Sequence, residues 1–136
     1  MSAFRFDHVG INVRDLDAAA GWYAAAFGLS REFEVTLDAF ALSIVMLRSP
    51  DGYRIELLHR PGSEPGLRAA DPPAAVLTEG YGHVALAVAD LDAGYARLLE
   101  LGAGPVMAPR PSPEPGVRMA FVRDPEGNLV ELVERG

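Results

Sequence analysis

His8 and His83 stand 75 positions apart, and so do Glu56 and Glu131. Each pair falls in matching blocks. HVGINVRDLDA (8–18) aligns without gaps to HVALAVADLDA (83–93), with seven of eleven positions identical, and PDGYRIEL (50–57) aligns to PEGNLVEL (125–132). Two separated blocks with one common offset are what an internal duplication leaves behind. Imidazole nitrogen and carboxylate oxygen are donor types that Zn, Ni, Co, Mn and Fe(II) accept. The chain has no Cys, which excludes thiolate metal sites, disulfides and cysteine nucleophiles together. His8, Glu56, His83 and Glu131 are therefore the candidate ligands of a divalent metal ion.

Strands must carry all four. Side chains alternate across a strand, so Val9, Ile11 and Val13 share one face while His8, Gly10 and Asn12 share the other. The second copy repeats this, with His83, Ala85 and Ala87 opposite Val84, Leu86 and Val88. The branched faces are expected to pack on helices, and the small residues beside each His leave room for a guest. Ile55 and Leu57 oppose Glu56, and Val130 and Leu132 oppose Glu131. Each Glu thus lies among apolar neighbours, where an isolated carboxylate is costly without a cation or strong donors.

The same grammar recurs in each copy. A strand (Phe6–Val13, Tyr81–Val88) is followed by a helix capped by Asp15 or Asp90 and stopped near Gly28 or Gly102. Three strands follow: 31–37, 41–48 and 53–59 in the first copy, and 105–108, 117–123 and 128–133 in the second. SPDG and DPEG are the turns between the last two strands. The expected fold is α+β, two tandem βαβββ modules at 1–62 and 80–136. The Pro- and Gly-containing stretch 63–79 is expected to link them.

The net charge is −7 and all twelve basic residues are Arg, with no basic block, so nucleic acid and anionic membranes are not expected partners. No signal peptide or membrane-length apolar run is recognised, and the expected location is cytoplasmic. His59 is expected at the surface, and Trp22, Tyr23 and Phe27 in the core. Arg110 and Arg118 bracket a flexible PRPSPEPG stretch, where they could clamp an anion but are more often solvated. There is no Gly-rich phosphate loop after a strand and no G-x-S-x-G elbow.

With these residues the chain resembles the vicinal oxygen chelate superfamily: glyoxalase I, methylmalonyl-CoA epimerase, extradiol dioxygenases, and fosfomycin and bleomycin resistance proteins. HVGINVRDLDAAAGWYAAAFGL resembles the first module of epimerases and many glyoxalase-like proteins, while YGHVALAVADLD with AFVRDPEGNLVELVE resembles bacterial glyoxalase I. The resemblance implies paired curved sheets around a metal-binding cup, a small-molecule substrate and a homodimer. One His and one Glu from each module is the glyoxalase I pattern, whereas the epimerase pattern has Gln at position 56.

The implied activity is that of a lyase or isomerase acting on an α-hydroxycarbonyl or thiohemiacetal-type compound through a metal-bound enediolate. Glu131 would be the base and Glu56 its opposite number, with Asn12 and Arg118 contacting substrate. Bacterial glyoxalase I has an Arg four residues after its first His and an Asn four after its first Glu, both serving glutathione. Here those positions hold Asn12 and Arg60, which leaves another thiol adduct or α-hydroxycarbonyl compound equally open. The alternatives are an Fe(II) extradiol-type dioxygenase and a metal-free drug- or metabolite-binding protein.

Overall fold

A computed structural model of the chain describes residues 2–136. The chain divides into two units, the first ending at Glu64 and the second being Pro65–Gly136. In the first unit β1 (His8–Asn12) leads into α1 (Leu16–Phe27), then β2 (Ser30–Leu37), a 3-10 turn at Asp38–Phe40, β3 (Leu42–Arg48) and β4 (Arg54–His59). In the second, the short helix α2 (Pro72–Ala75) precedes β5 (His83–Ala87), α3 (Leu91–Glu100), β6 (Gly104–Pro111), β7 (Val117–Arg123) and β8 (Leu129–Arg135). Each unit is βαβββ.

Each sheet is mixed and four-stranded, in the orders β1-β4-β3-β2 and β5-β8-β7-β6. The first strand of each unit pairs parallel with the last, because the chain crosses over through a helix between them. The other pairings are antiparallel. Registers correspond residue for residue: Gly10 faces Glu56, and Ala85 faces Glu131. The expected fold class, with its two tandem modules, is the one observed.

Local chemistry explains the helices. The carboxylates of Asp15 and Asp90 accept from the amides of Ala18 and Ala93, each at 3.1 Å. They satisfy donors that the first helical turn cannot. Gly28 closes α1 in the left-handed region (φ 66°, ψ 35°), where a side chain would be strained.

One face of each sheet is sealed by its helix. In the first unit Ala19, Ala20 and Tyr23 meet a sheet face carrying Val45, Leu47, Ile55 and Leu57, all buried. Trp22, Tyr23 and Phe27 make edge-on or tilted ring contacts at 4.9–5.8 Å. In the second, Leu91 and Leu98 of α3 are buried along with Ala120, Val122, Val130 and Leu132. Burial of these branched faces leaves the His- and Glu-bearing faces opposite.

The departures from expectation have physical causes. Phe6 and Tyr81 do not join the ladders, because pairing begins where the partner strands do, at His8–Arg54 and His83–Leu129. β6 runs through Pro109 to Pro111, although Pro lacks an amide proton. It is an edge strand with two register irregularities, the setting in which a sheet tolerates Pro. The PRPSPEPG stretch is therefore mostly strand and tight turn.

Residues 65–79 belong to the second unit. Ala75 is buried with Phe121 and Leu129, and Leu67 and Ala69 pack against them. The Arg123 guanidinium donates to the carbonyls of Ala69 and Ala70.

Candidate metal centre

In the first unit β1 and β4 place His8 and Glu56 on the face away from α1. His8 Nε2 lies 3.4 Å from Glu56 Oε1. Gly10 makes room for the carboxylate: a Cβ there would stand 3.4 Å from Glu56 Oε1 and 3.6 Å from a Leu58 methyl. Glu56 is only 22% exposed and His8 35%. His8 Nδ1 donates to Asp7 Oδ2 at 2.7 Å. That bond, helped by the charge of Glu56 against desolvation, pushes the imidazole pKa up; the same bond pushes Asp7 down.

The second unit repeats the pair more tightly. His83 Nε2 donates to Glu131 Oε1 at 3.1 Å, with Glu131 17% exposed. The wall differs. Phe121, in register with Glu131, meets the His83 ring edge-on at 5.2 Å. The register-equivalent residue in the first unit is Met46.

These donors fit a divalent cation. A carboxylate can only accept, so the Asp7 bond puts the His8 proton on Nδ1 and turns Nε2 toward Glu56. A neutral imidazole would then set a lone pair against a carboxylate, an arrangement that a proton or a metal ion between them relieves. Ligand atoms each about 2.0–2.2 Å from one ion and adjacent around it stand roughly 3 Å apart. The separations of 3.1 and 3.4 Å are in that range, which a direct hydrogen bond shares. Within neither unit does a third His, Asp or Glu among the described residues join its pair in a ligating group.

The other sequence-predicted residues divide. Asn12 shares the His8 face, paired with Leu58. Arg118 does not reach the corresponding face of the second unit. It is in register with Glu134 on the side covered by α3, 3.1–3.2 Å from the Asp92 carboxylate and 3.7 Å from Glu134. With those two carboxylate partners the guanidinium braces β7 and β8 against α3. Arg110 pairs with Met119 on the edge strand. Arg60 lies over the Phe40 ring at 5.7 Å. His59 is half-buried and donates to the Val13 carbonyl at 2.9 Å, tying β4 to the turn before α1. Asp7 was missed in the sequence; its one available signal was a carboxylate directly before a candidate ligand.

With this geometry in place, the chain belongs to the Glyoxalase/Bleomycin resistance protein/Dioxygenase superfamily, which residues 5–132 match. A probable lactoylglutathione lyase of Vibrio cholerae is 30% identical over 139 residues, covering 98% of this chain and 93% of that protein. A probable lactoylglutathione lyase of Synechocystis sp. is 28% identical over 130 residues, covering 93% and 92%. A glyoxalase family protein from Bacillus cereus has a similar crystal structure, with a TM-score of 0.80 at 28% identity, covering 100% of this chain and 97% of that one. Glyoxalase I from Zea mays shares the fold, with a TM-score of 0.78 at 22% identity. That match covers 97% of this chain but 45% of the maize chain, so this chain spans about half its length.

Proposed function

We propose that the protein is a metal-dependent, glyoxalase I-like lyase or isomerase with His8, Glu56, His83 and Glu131 as metal ligands. The observation that carries this is the repeated imidazole–carboxylate pair, at 3.4 and 3.1 Å on register-matched strands of duplicated units. The substrate class is an α-hydroxycarbonyl compound or thiohemiacetal-type adduct, and the two relatives named as probable lactoylglutathione lyases favour a thiol adduct. A bound divalent ion would supply Lewis acidity toward the substrate's vicinal oxygens.

The chain's own residues move the proton. Glu131 removes it from the carbon beside the carbonyl and returns it to the neighbouring carbon, with Glu56 as its opposite number. Phe121 and Val133 flank Glu131, and Leu58 and Met46 flank Glu56, so both carboxylates stand beside apolar side chains that shield them in part from water and strengthen charge interactions. Asn12, on the His8 face, would contact substrate. Following the resemblance, we expect a homodimer.

The test is metal content by mass spectrometry of protein purified without chelators, followed by turnover of α-hydroxycarbonyl and thiol-adduct substrates. Stoichiometric Zn, Ni, Co or Mn, with turnover abolished in the Glu56→Gln/Glu131→Gln double variant, is expected. Failure to bind any of these metals on reconstitution would overturn the reading in favour of a ligand-binding protein.

A further inference from the structure

The duplicated imidazoles are held by different means. Asp7 accepts from His8 Nδ1 at 2.7 Å. Arg54, in register with His8, brings Nη1 to 3.9 Å from the other Asp7 oxygen. Arg54 is itself fixed by Glu32, whose two oxygens accept from Nε at 2.8 Å and Nη2 at 3.2 Å. A chain of charges thus runs Glu32–Arg54–Asp7–His8 and ends at Glu56.

The second unit has none of these partners at the matching positions. Gly82 precedes His83, and Leu129 stands in register with it where Arg54 stands beside His8. Leu129 is buried with Phe121 and Ala75, under Leu67 and Ala69, and the His83 ring rests edge-on against Phe121. The Nδ1 side of one imidazole is held by an ionic hydrogen-bond chain, whereas the other ring is held by its Nε2 bond to Glu131 and by packing on Phe121.

We propose that Asp7, steadied by Arg54, is a positioning residue that fixes His8 as the Nδ1–H tautomer with Nε2 as its metal-facing atom, so that the two His–Glu pairs are inequivalent. The metal-facing part rests on the metal reading above. The physical basis is general: a ligating imidazole whose other N–H is donated to a carboxylate has its ring orientation and tautomer fixed and is a more basic donor. Removing such a partner typically weakens metal binding about 10- to 100-fold. Asp7 is 69% exposed, so its side chain supports no core and can be removed without a cavity.

The experiment uses the full-length chain and Asp7→Ala, with Asp7→Asn as the variant that keeps a neutral acceptor. The protein has three His, so long-range proton–nitrogen NMR resolves each ring's tautomer in metal-free protein. Near pH 8, wild type is expected to show His8 with the proton on Nδ1. Asp7→Ala is expected to let it redistribute over both nitrogens, leaving His83 and His59 unmoved, and Asp7→Asn to restore it in part. Zn(II) affinity, by competition with a chromophoric chelator, is expected to fall about 10- to 100-fold in Asp7→Ala. A His8 ring unchanged in Asp7→Ala, or Zn(II) affinity within twofold of wild type, would overturn the proposal. If wild type binds no Zn(II), the metal reading falls on its own, while the metal-free spectra still decide whether Asp7 orients His8.

Discussion

At the scale of single residues, the pairs differ in what surrounds them more than in what they are. Glu131 accepts from His83 and is the less exposed carboxylate, with aromatic and aliphatic neighbours in register. Glu131→Gln is therefore expected to lower turnover about 10²- to 10⁴-fold, the usual worth of a positioned base. Loss of deuterium uptake from solvent into product would check it; unchanged uptake would mean the base lies elsewhere. Gly10 is a second sensitive point. Ala85 occupies the equivalent place beside Glu131, so Gly10→Ala should bind metal much as wild type does. Gly10→Val would push a branched side chain against Glu56 Oε1, and weakened metal binding in a folded protein is the expected result. The four candidate ligands were legible because duplication preserved their types and offset. Asp7 was not, because its partnership with His8 depends on a backbone path that pattern alone does not describe.

At the scale of elements, caps and sheet faces carry most of the explanation. Asp15→Ala should cost about 1 kcal/mol, and Asp90→Ala a similar amount, since each removes the acceptor for one orphan amide of its helix. Leu57 is wholly buried between sheet and helix, and Leu57→Ala should cost about 2–5 kcal/mol through lost contacts and a residual cavity. Urea titrations with an unchanged denaturant slope would measure both. If the cap variants matched Leu57→Ala in cost, the helices would be contributing more than their sealing role requires. β6 shows where element reading from sequence runs out. The sequence ends this strand at 108, before Pro109 and Pro111, yet in the fold it runs on to Pro111 along the sheet edge. The segment 65–79 makes the same point, since its Pro and Gly content reads as a connector but its Leu and Ala side chains pack against Phe121 and Leu129.

At the scale of the whole molecule, bound metal and pH should both move stability. An ion that binds only the folded chain stabilises it by mass action, about 2.7 kcal/mol when free metal exceeds its Kd a hundredfold. A raised melting temperature with Zn(II), lost in His8→Ala/His83→Ala, is expected in calorimetry. The surface carboxylates set the acid side. Asp92, Glu114 and Glu32 are held below their ordinary values, first by hydrogen bonds from Arg118, Arg135 and Arg54 respectively. A group whose folded pKa is depressed contributes stability above its unfolded pKa and loses it as pH falls through the folded one. Stability should therefore decline on acidification below the ordinary carboxylate range. The decline should be modest and smaller in high salt, because these pairs are exposed. Acid melts of wild type and Arg118→Ala would show it, and equal acid sensitivity in the two would remove Asp92 from the account. Among the described residues no helix is long and apolar enough to cross a membrane.

Sequence by itself determined the duplication, the βαβββ order, the helix caps and the identity of the His–Glu pairs. Each of these is written in local pattern: a 75-residue offset, period-two alternation, and a carboxylate before a helix. Only the tertiary structure decided that Arg118 belongs to Asp92 and Glu134, that His59 ties down the Val13 carbonyl, and that Asp7 and Arg54 stand behind His8 while Phe121 and Leu129 stand beside His83. Those partnerships join residues from different strands and turns. Long, mobile side chains such as Arg choose among several carboxylates by distance and burial, and strand register and turn paths set those distances only once the chain has folded.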